Sequence, residues 1–166
     1  MKKRDFDIAF RGLALGQHEF QYDLDDTFFT LFEYSDYRGL RGTAELVMLK
    51  SETVLDIELR FTGTIEVPCD ITNELYTQTL ENSFAMQIKF GDEYNDENEE
   101  LLILPHGNYE FNAGQMIYEL VVLSIPSKLL GPNAGNGIED LIEEEEDETE
   151  EKTDPRWDQL KNLLNK

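Results

Sequence analysis

One cysteine, Cys69, serves the whole chain of 166 residues. No intramolecular disulfide framework can form from it, and a reducing compartment is the natural expectation. Histidine is nearly as scarce, with only His18 and His106. One thiol and two separated imidazoles are too few for a transition-metal site, so no metal or cofactor is expected. Positive charge is short as well: 14 Lys and Arg stand against 36 Asp and Glu, a net of −22. Phosphate binding needs cations that displace condensed counterions, so naked nucleic acid and anionic membrane surfaces are poor partners. No apolar run approaches the ~20 residues that span a bilayer. The start, Met1-Lys2-Lys3-Arg4-Asp5-Phe6-Asp7, has the charge of a signal peptide without the apolar stretch that should come next. A soluble, cytoplasmic protein is expected.

Catalytic signatures are missing too. There is no Gly-x-Ser-x-Gly elbow, no His-Glu-x-x-His pair and no Cys-x-x-Cys. Acid pairs are too numerous to single out a general acid and base. Cys69 follows Pro68 and reads more simply as a small buried thiol than as a nucleophile. Two acidic stretches invite a calcium reading and fail it on spacing. Asp92 has Tyr94 where the loop needs Asp or Asn, and Asp23, Asp25 and Asp26 have Phe28 where the glycine belongs. The chain is therefore not expected to be an enzyme.

What is present suits a folded domain with a tail. Apolar residues make up 40% of the chain and include ten Phe and seven Tyr. Residues 139–152 hold ten acids and one lysine, a net of −9, which leaves −13 on the rest. The acidity thus belongs to the folded part as well. Arg38 and Arg41, with Lys2-Lys3-Arg4, are the compact basic groups and read as solvated surface charge. A basic protein partner, drawn in by electrostatic steering, fits this balance.

The first hundred residues read mostly as strands. Phe6, Ile8 and Phe10 alternate with polar or small neighbours. Residues 44–49 and 54–61 are β-rich, and the three residues between them suit a hairpin turn. Thr62-Gly63-Thr64 is expected to break the run before 65–69 alternates again, and 84–90 gives a further strand. Short connections predict antiparallel pairing, because parallel pairing needs a long crossover. Residues 91–100 read as a polar, acidic loop, and 101–104 as a strand ended by Pro105. Residues 112–126 predict a helix, with Asn112 and Gln115 as a capping box and Met116, Ile117, Leu120, Val121 and Leu123 as a wide buried face.

Composition divides the chain into a β-rich α+β domain over 1–131, a flexible acidic linker over 132–153, and a C-terminal amphipathic helix over 154–166. The expected domain is a curved antiparallel sheet or partial β-barrel with one buried helix. In the last segment Asp154 suits an N-cap and Pro155 the first helical position. Trp157, Leu160, Leu163 and Leu164 then share one face. An apolar face behind such a tether has to dock, on its own body or on a partner.

Three stretches carry a family resemblance. They are 63–72, beginning at Gly63 and running through an alternating strand to Cys69-Asp70-Ile71-Thr72; 116–126, Met-Ile-Tyr-Glu-Leu-Val-Val-Leu-Ser-Ile-Pro; and Asp154-Pro155-Arg156-Trp157 with Leu160, Leu163 and Leu164. In order and spacing the chain resembles the YceD family, the large ribosomal RNA subunit accumulation proteins, over about residues 5–164. The terminal motif is its most specific part. Where the family often has Cys-x-Arg-Cys, this chain has Cys69-Asp70-Ile71-Thr72, so a metal or thiol role for that turn is not carried over.

The resemblance implies a non-enzymatic factor that supports accumulation of large-subunit (23S) ribosomal RNA. It points to Arg156, Trp157, Leu160, Leu163 and Leu164 as a partner-binding face, and to Gly63 and Cys69 as a motif turn. The partner would be a basic ribosomal protein or a pre-ribosomal particle; direct RNA contact stays open, and no membrane is involved. Two other readings compete: an acidic chaperone or nucleic-acid mimic that shields basic proteins, and an enzyme with Cys69 as nucleophile.

Overall fold

The computed structural model describes residues 1–98 and 100–135. Its frame is a six-stranded sheet built from β2 (Gly16–Asp25), β3 (Arg38–Lys50), β4 (Val54–Pro68), β5 (Leu75–Gly91), β6 (Asn95–Asn98) and β7 (Leu101–Pro105), in the order β2-β3-β4-β5-β7-β6. A two-stranded patch, β1 (Asp7–Ile8) with β8 (Phe111–Asn112), lies beside it. The helices are α1 (Asp26–Leu31) and α2 (Gly114–Leu123). The sheet is open, with β2 and β6 at its edges, so the α+β class holds and a closed barrel does not form.

The alternation that predicts strands also decides which face is wet. Along β3 and β4, Ala44, Leu46, Met48, Leu55, Ile57, Leu59 and Phe61 are fully buried, while Glu45, Glu58 and Arg60 are exposed. Period-two side chains of a one-sided antiparallel sheet must sort this way. The apolar face is covered by α1, α2 and the first ten residues, giving two layers. Phe6, Ile8 and Phe10 all point into this core, as their alternation predicts. Only Asp7–Ile8 is strand; Lys3–Phe6 and Phe10–Gly12 are short 3-10 turns. Lys50 at the end of β3 holds the second turn, its Nζ donating to the carbonyls of Phe10 at 2.8 Å and Leu13 at 2.5 Å.

Several sequence expectations need correction. Gly63 does not break its strand: β4 runs unbroken through Thr62-Gly63-Thr64 and pairs along its length with β5. Residues 91–100 are not only a loop, since Asn95–Asn98 forms edge strand β6. That strand explains a second difference. β5 and β7 pair parallel, Gln87 with Leu101 through Gly91 with Pro105. The chain reverses twice, down β6 and back up β7, so β7 slots between β5 and β6 without a helical crossover. Strand β2, whose Phe20, Tyr22 and Leu24 alternate with Glu19, Gln21 and Asp23, and helix α1 both go beyond the sequence expectation. Asp25 caps α1, accepting from the Thr27 N–H at 2.9 Å and the Thr27 hydroxyl at 2.5 Å.

Helix α2 lies within the predicted 112–126, yet the capping box does not form. Asn112 Oδ1 accepts the Gly114 N–H at 2.9 Å, and Gln115 instead donates to Glu119 Oε1 at 2.7 Å. Ile117, Leu120 and Val121 are buried as expected, whereas Leu123 is 76% exposed.

Candidate functional site

Strand β4 leaves the sheet at Pro68 and the chain re-enters as β5 at Leu75. The turn between them is closed by backbone bonds from the Cys69 N–H to the Glu74 carbonyl and from the Asn73 N–H to the Cys69 carbonyl, both 2.9 Å. Asn73 takes a φ of 56°, a left-handed conformation that Asn tolerates better than most residues. Cys69 is 3% exposed. The Thr72 hydroxyl, followed by the backbone N–H groups of Thr72, Gly131 and Ile71, converges on its sulfur and lowers the thiol from 9.0 to about 7; burial opposes this and loses. The groups that tune the thiol are thus a threonine and backbone amides, with no histidine among them.

The same turn grips the segment after α2. Asp70 donates its N–H to the Leu129 carbonyl at 2.7 Å and accepts the Leu129 N–H on Oδ2 at 2.8 Å. Asn133 Nδ2 donates to Glu74 Oε2 at 2.9 Å. Gly131 packs so closely that a Cβ there would sit 3.1 Å from the Tyr76 ring and 3.3 Å from Cys69 Cβ. The turn at Cys69 therefore fixes, on the body, the segment that leads to residue 136.

Gly63 has a packing reason to be glycine. It stands opposite Gly42 in the β3–β4 register. A Cβ on Gly63 would meet the Arg41 carbonyl at 2.6 Å, the Phe61 ring at 2.7 Å and Gly42 Cα at 2.9 Å. The paired glycines leave room for the fully buried Phe61 ring to lie across both strands.

A groove of about 1050 Å³ lies between α2 and the β5–β7–β6 end of the sheet. Phe84, Met86, Leu102, Leu104 and Leu120 contribute apolar walls, and the exposed Leu123 and Tyr94 stand at its margins. Asp7, Asp96, Glu110 and Glu119 line it as well, and among the described residues no Lys, Arg or His does. Asp96 and Glu119 both face the Tyr94 phenol, which their charge, after burial, helps to push above its ordinary value of 10.0. No sequence motif marks this groove; Leu123, an apolar residue left exposed on a buried helix, is the trace it leaves. A smaller cleft of about 350 Å³ includes Arg11, Lys50 and His106, but Lys50 is already committed to two backbone carbonyls.

Among the described residues no three His, Cys, Asp or Glu side chains converge to hold a metal ion, and no helix is long and apolar enough to cross a membrane. The sequence-derived sites separate accordingly. Gly63 lies within β4 and Cys69 just beyond its end, while Arg156, Trp157, Leu160, Leu163 and Leu164 lie outside the described residues.

No curated protein and no solved structure matches the chain. A family model described as Large ribosomal RNA subunit accumulation protein YceD matches residues 57–164, from β4 through the terminal motif. That stretch takes in Gly63, the Cys69 turn, both walls of the groove and the Arg156–Trp157 segment, and on it the chain belongs to the YceD family.

Proposed function

We propose that the protein supports accumulation of large-subunit ribosomal RNA by binding a basic ribosomal protein or a pre-ribosomal particle through its acidic surface. Family membership supplies the ribosomal context. The observation that carries the binding mode is the lack of internal neutralisation. Among the described residues one ion pair forms, Arg60 to Glu81 at 3.9 Å, with both side chains more than 60% exposed. Such a pair contributes little. Glu19, Asp23, Glu45, Glu58 and Glu66 stand exposed on the outer side of the sheet. A surface of this kind raises the encounter rate with a cationic protein and repels phosphate.

In this reading Trp157, Leu160, Leu163 and Leu164 add an apolar anchor, and Arg156 a cation beside it, for the assembled complex. No catalytic step is required. Affinity capture of the full chain from a cell lysate across a salt series tests the proposal. Ribosomal proteins should be retained at low salt and released as salt screens charges beyond ~10 Å near 0.1 M. Submicromolar binding of purified chain to naked ribosomal RNA at physiological salt overturns the preference for protein. Indiscriminate capture of every basic protein favours the shielding chaperone instead.

A further inference from the structure

We infer that the groove between α2 and β5–β7 is the docking site of the chain's own terminal segment, residues 154–166. The contact is made within one chain and covers in the free protein the face that the ribosomal reading gives to a partner, so a partner would have to displace it; its test uses the purified chain alone and does not depend on that reading. Three observations select this occupant.

The first is apolar surface that the described residues leave uncovered. Leu123 is 76% exposed and Tyr94 57% exposed at the margins of a groove walled by Phe84, Met86 and Leu120. Exposed apolar concavities of this kind mark contact surfaces. The terminal segment offers the matching element: helical spacing puts Trp157, Leu160, Leu163 and Leu164 on one side of a helix about 20 Å long.

The second is charge. The groove is lined by Asp7, Asp96, Glu110 and Glu119, with no basic residue among the described ones. Among the side chains of residues 154–166, Arg156, Lys161 and Lys166 stand against Asp154 and Asp158, an excess of one positive charge. Residues 136–153 carry −9, so the rim repels the tether and attracts the cationic segment beyond it.

The third is reach. The described chain ends at Gly135, pinned near the Cys69 turn by the bonds of Asp70 and Glu74. The eighteen residues 136–153 can span up to about 60 Å, against a radius of gyration of about 14 Å for a body of this size. A tethered segment has an effective concentration on the order of mM, so a contact with a dissociation constant of about 0.1 mM between separate molecules would be ~90% occupied.

Trp157 is the only tryptophan and reports the contact in the full-length protein. Acrylamide should quench its fluorescence several-fold less than in the same chain unfolded in denaturant. Two independent variants should abolish that protection: Leu123→Lys with Glu119→Lys at the groove, both exposed positions, and Leu160→Ala with Leu163→Ala in the segment, which cannot disturb the groove. If the groove pair unfolds the body by circular dichroism, Asp96→Lys with Glu110→Lys replaces it. Trp157 as quenchable in the native chain as in the unfolded one overturns the inference. So does protection that survives the groove variants, which places the segment elsewhere, and so does protection that appears only as protein concentration rises, which assigns the groove to a second copy.

Discussion

Asp70 and Leu129 exchange two hydrogen bonds across 59 residues of sequence, at 2.7 and 2.8 Å. One is backbone to backbone, so it survives truncation of the Asp70 side chain; the other depends on the Asp70 carboxylate. The turn after β4 and the segment after α2 are held together by this pair and by burial of Leu129, which is 4% exposed, while Asp70 itself is exposed.

Asp70→Ala is therefore expected to loosen the segment without unfolding the sheet. Losing one charged acceptor costs about 1–2 kcal/mol. The Leu129 amide should exchange roughly tenfold faster or more, because 1.4 kcal/mol is a factor of ten in a local opening equilibrium. Asp70→Asn, which keeps an oxygen there, should fall between. Hydrogen exchange at Leu129 unchanged in the alanine variant would show that the backbone bond alone is sufficient.

Gly63→Ala should destabilise the whole domain. Its Cβ meets backbone on two sides and the Phe61 ring on a third, so the strands must separate or the ring must move. Overpacking of this kind costs about 1–3 kcal/mol. Phe61→Leu in the same chain should recover only part, because the Arg41 carbonyl at 2.6 Å stays in place. Denaturant midpoints of the two single variants and the double variant measure this, and full additivity would contradict a shared clash.

Period-two alternation makes β3, β4 and the end of β5 legible in the sequence, and the core residues Leu46, Ile57, Leu59 and Ile88 follow from it. It does not reveal that β7 pairs parallel with β5, because the reversal depends on β6, whose Asn-Asp-Glu-Asn carries no apolar signal and pairs only at an edge. Gly63 suggests a break by propensity; tertiary packing of Phe61 overrides it. The Cys69 turn is legible as a motif, but its bond to Leu129 is not, since no local pattern links residues so far apart. The groove is invisible for the same reason: its walls come from elements far apart in sequence.

Thiol ionisation gives a pH-dependent test. The Cys69 pKa is lowered from 9.0 to about 7, so the native state favours the thiolate relative to the unfolded chain. For a group with a depressed folded pKa the stabilisation is full above the unfolded value and is lost as pH falls through the folded one. Stability of the wild type relative to Cys69→Ser should rise between pH 7 and 9, the window set by those two values. The ultraviolet absorbance of the single thiolate should titrate near the lower value, and Thr72→Val, which removes the largest cause, should move the midpoint upward. A wild-type midpoint at the ordinary thiol value would mean that burial wins over the converging hydrogen bonds.

The terminal motif gives the test closest to function. A helix of about ten residues is not stable alone in water, so residues 154–166 should fold only where their apolar face is buried. Fully burying one leucine contributes roughly 1.5–3 kcal/mol, and a tryptophan adds more, so the four apolar residues can hold the segment in place. Trp157→Ala combined with Leu160→Ala should lower the level of large-subunit ribosomal RNA in cells while the sheet stays folded by circular dichroism, because both substitutions lie outside the described body, residues 1–135. Arg156→Glu should do the same more weakly, through charge alone. Normal ribosomal RNA levels in the double variant, in cells where deleting the whole protein lowers them, would remove the functional role of this face and leave the acidic surface of the body as the binding element.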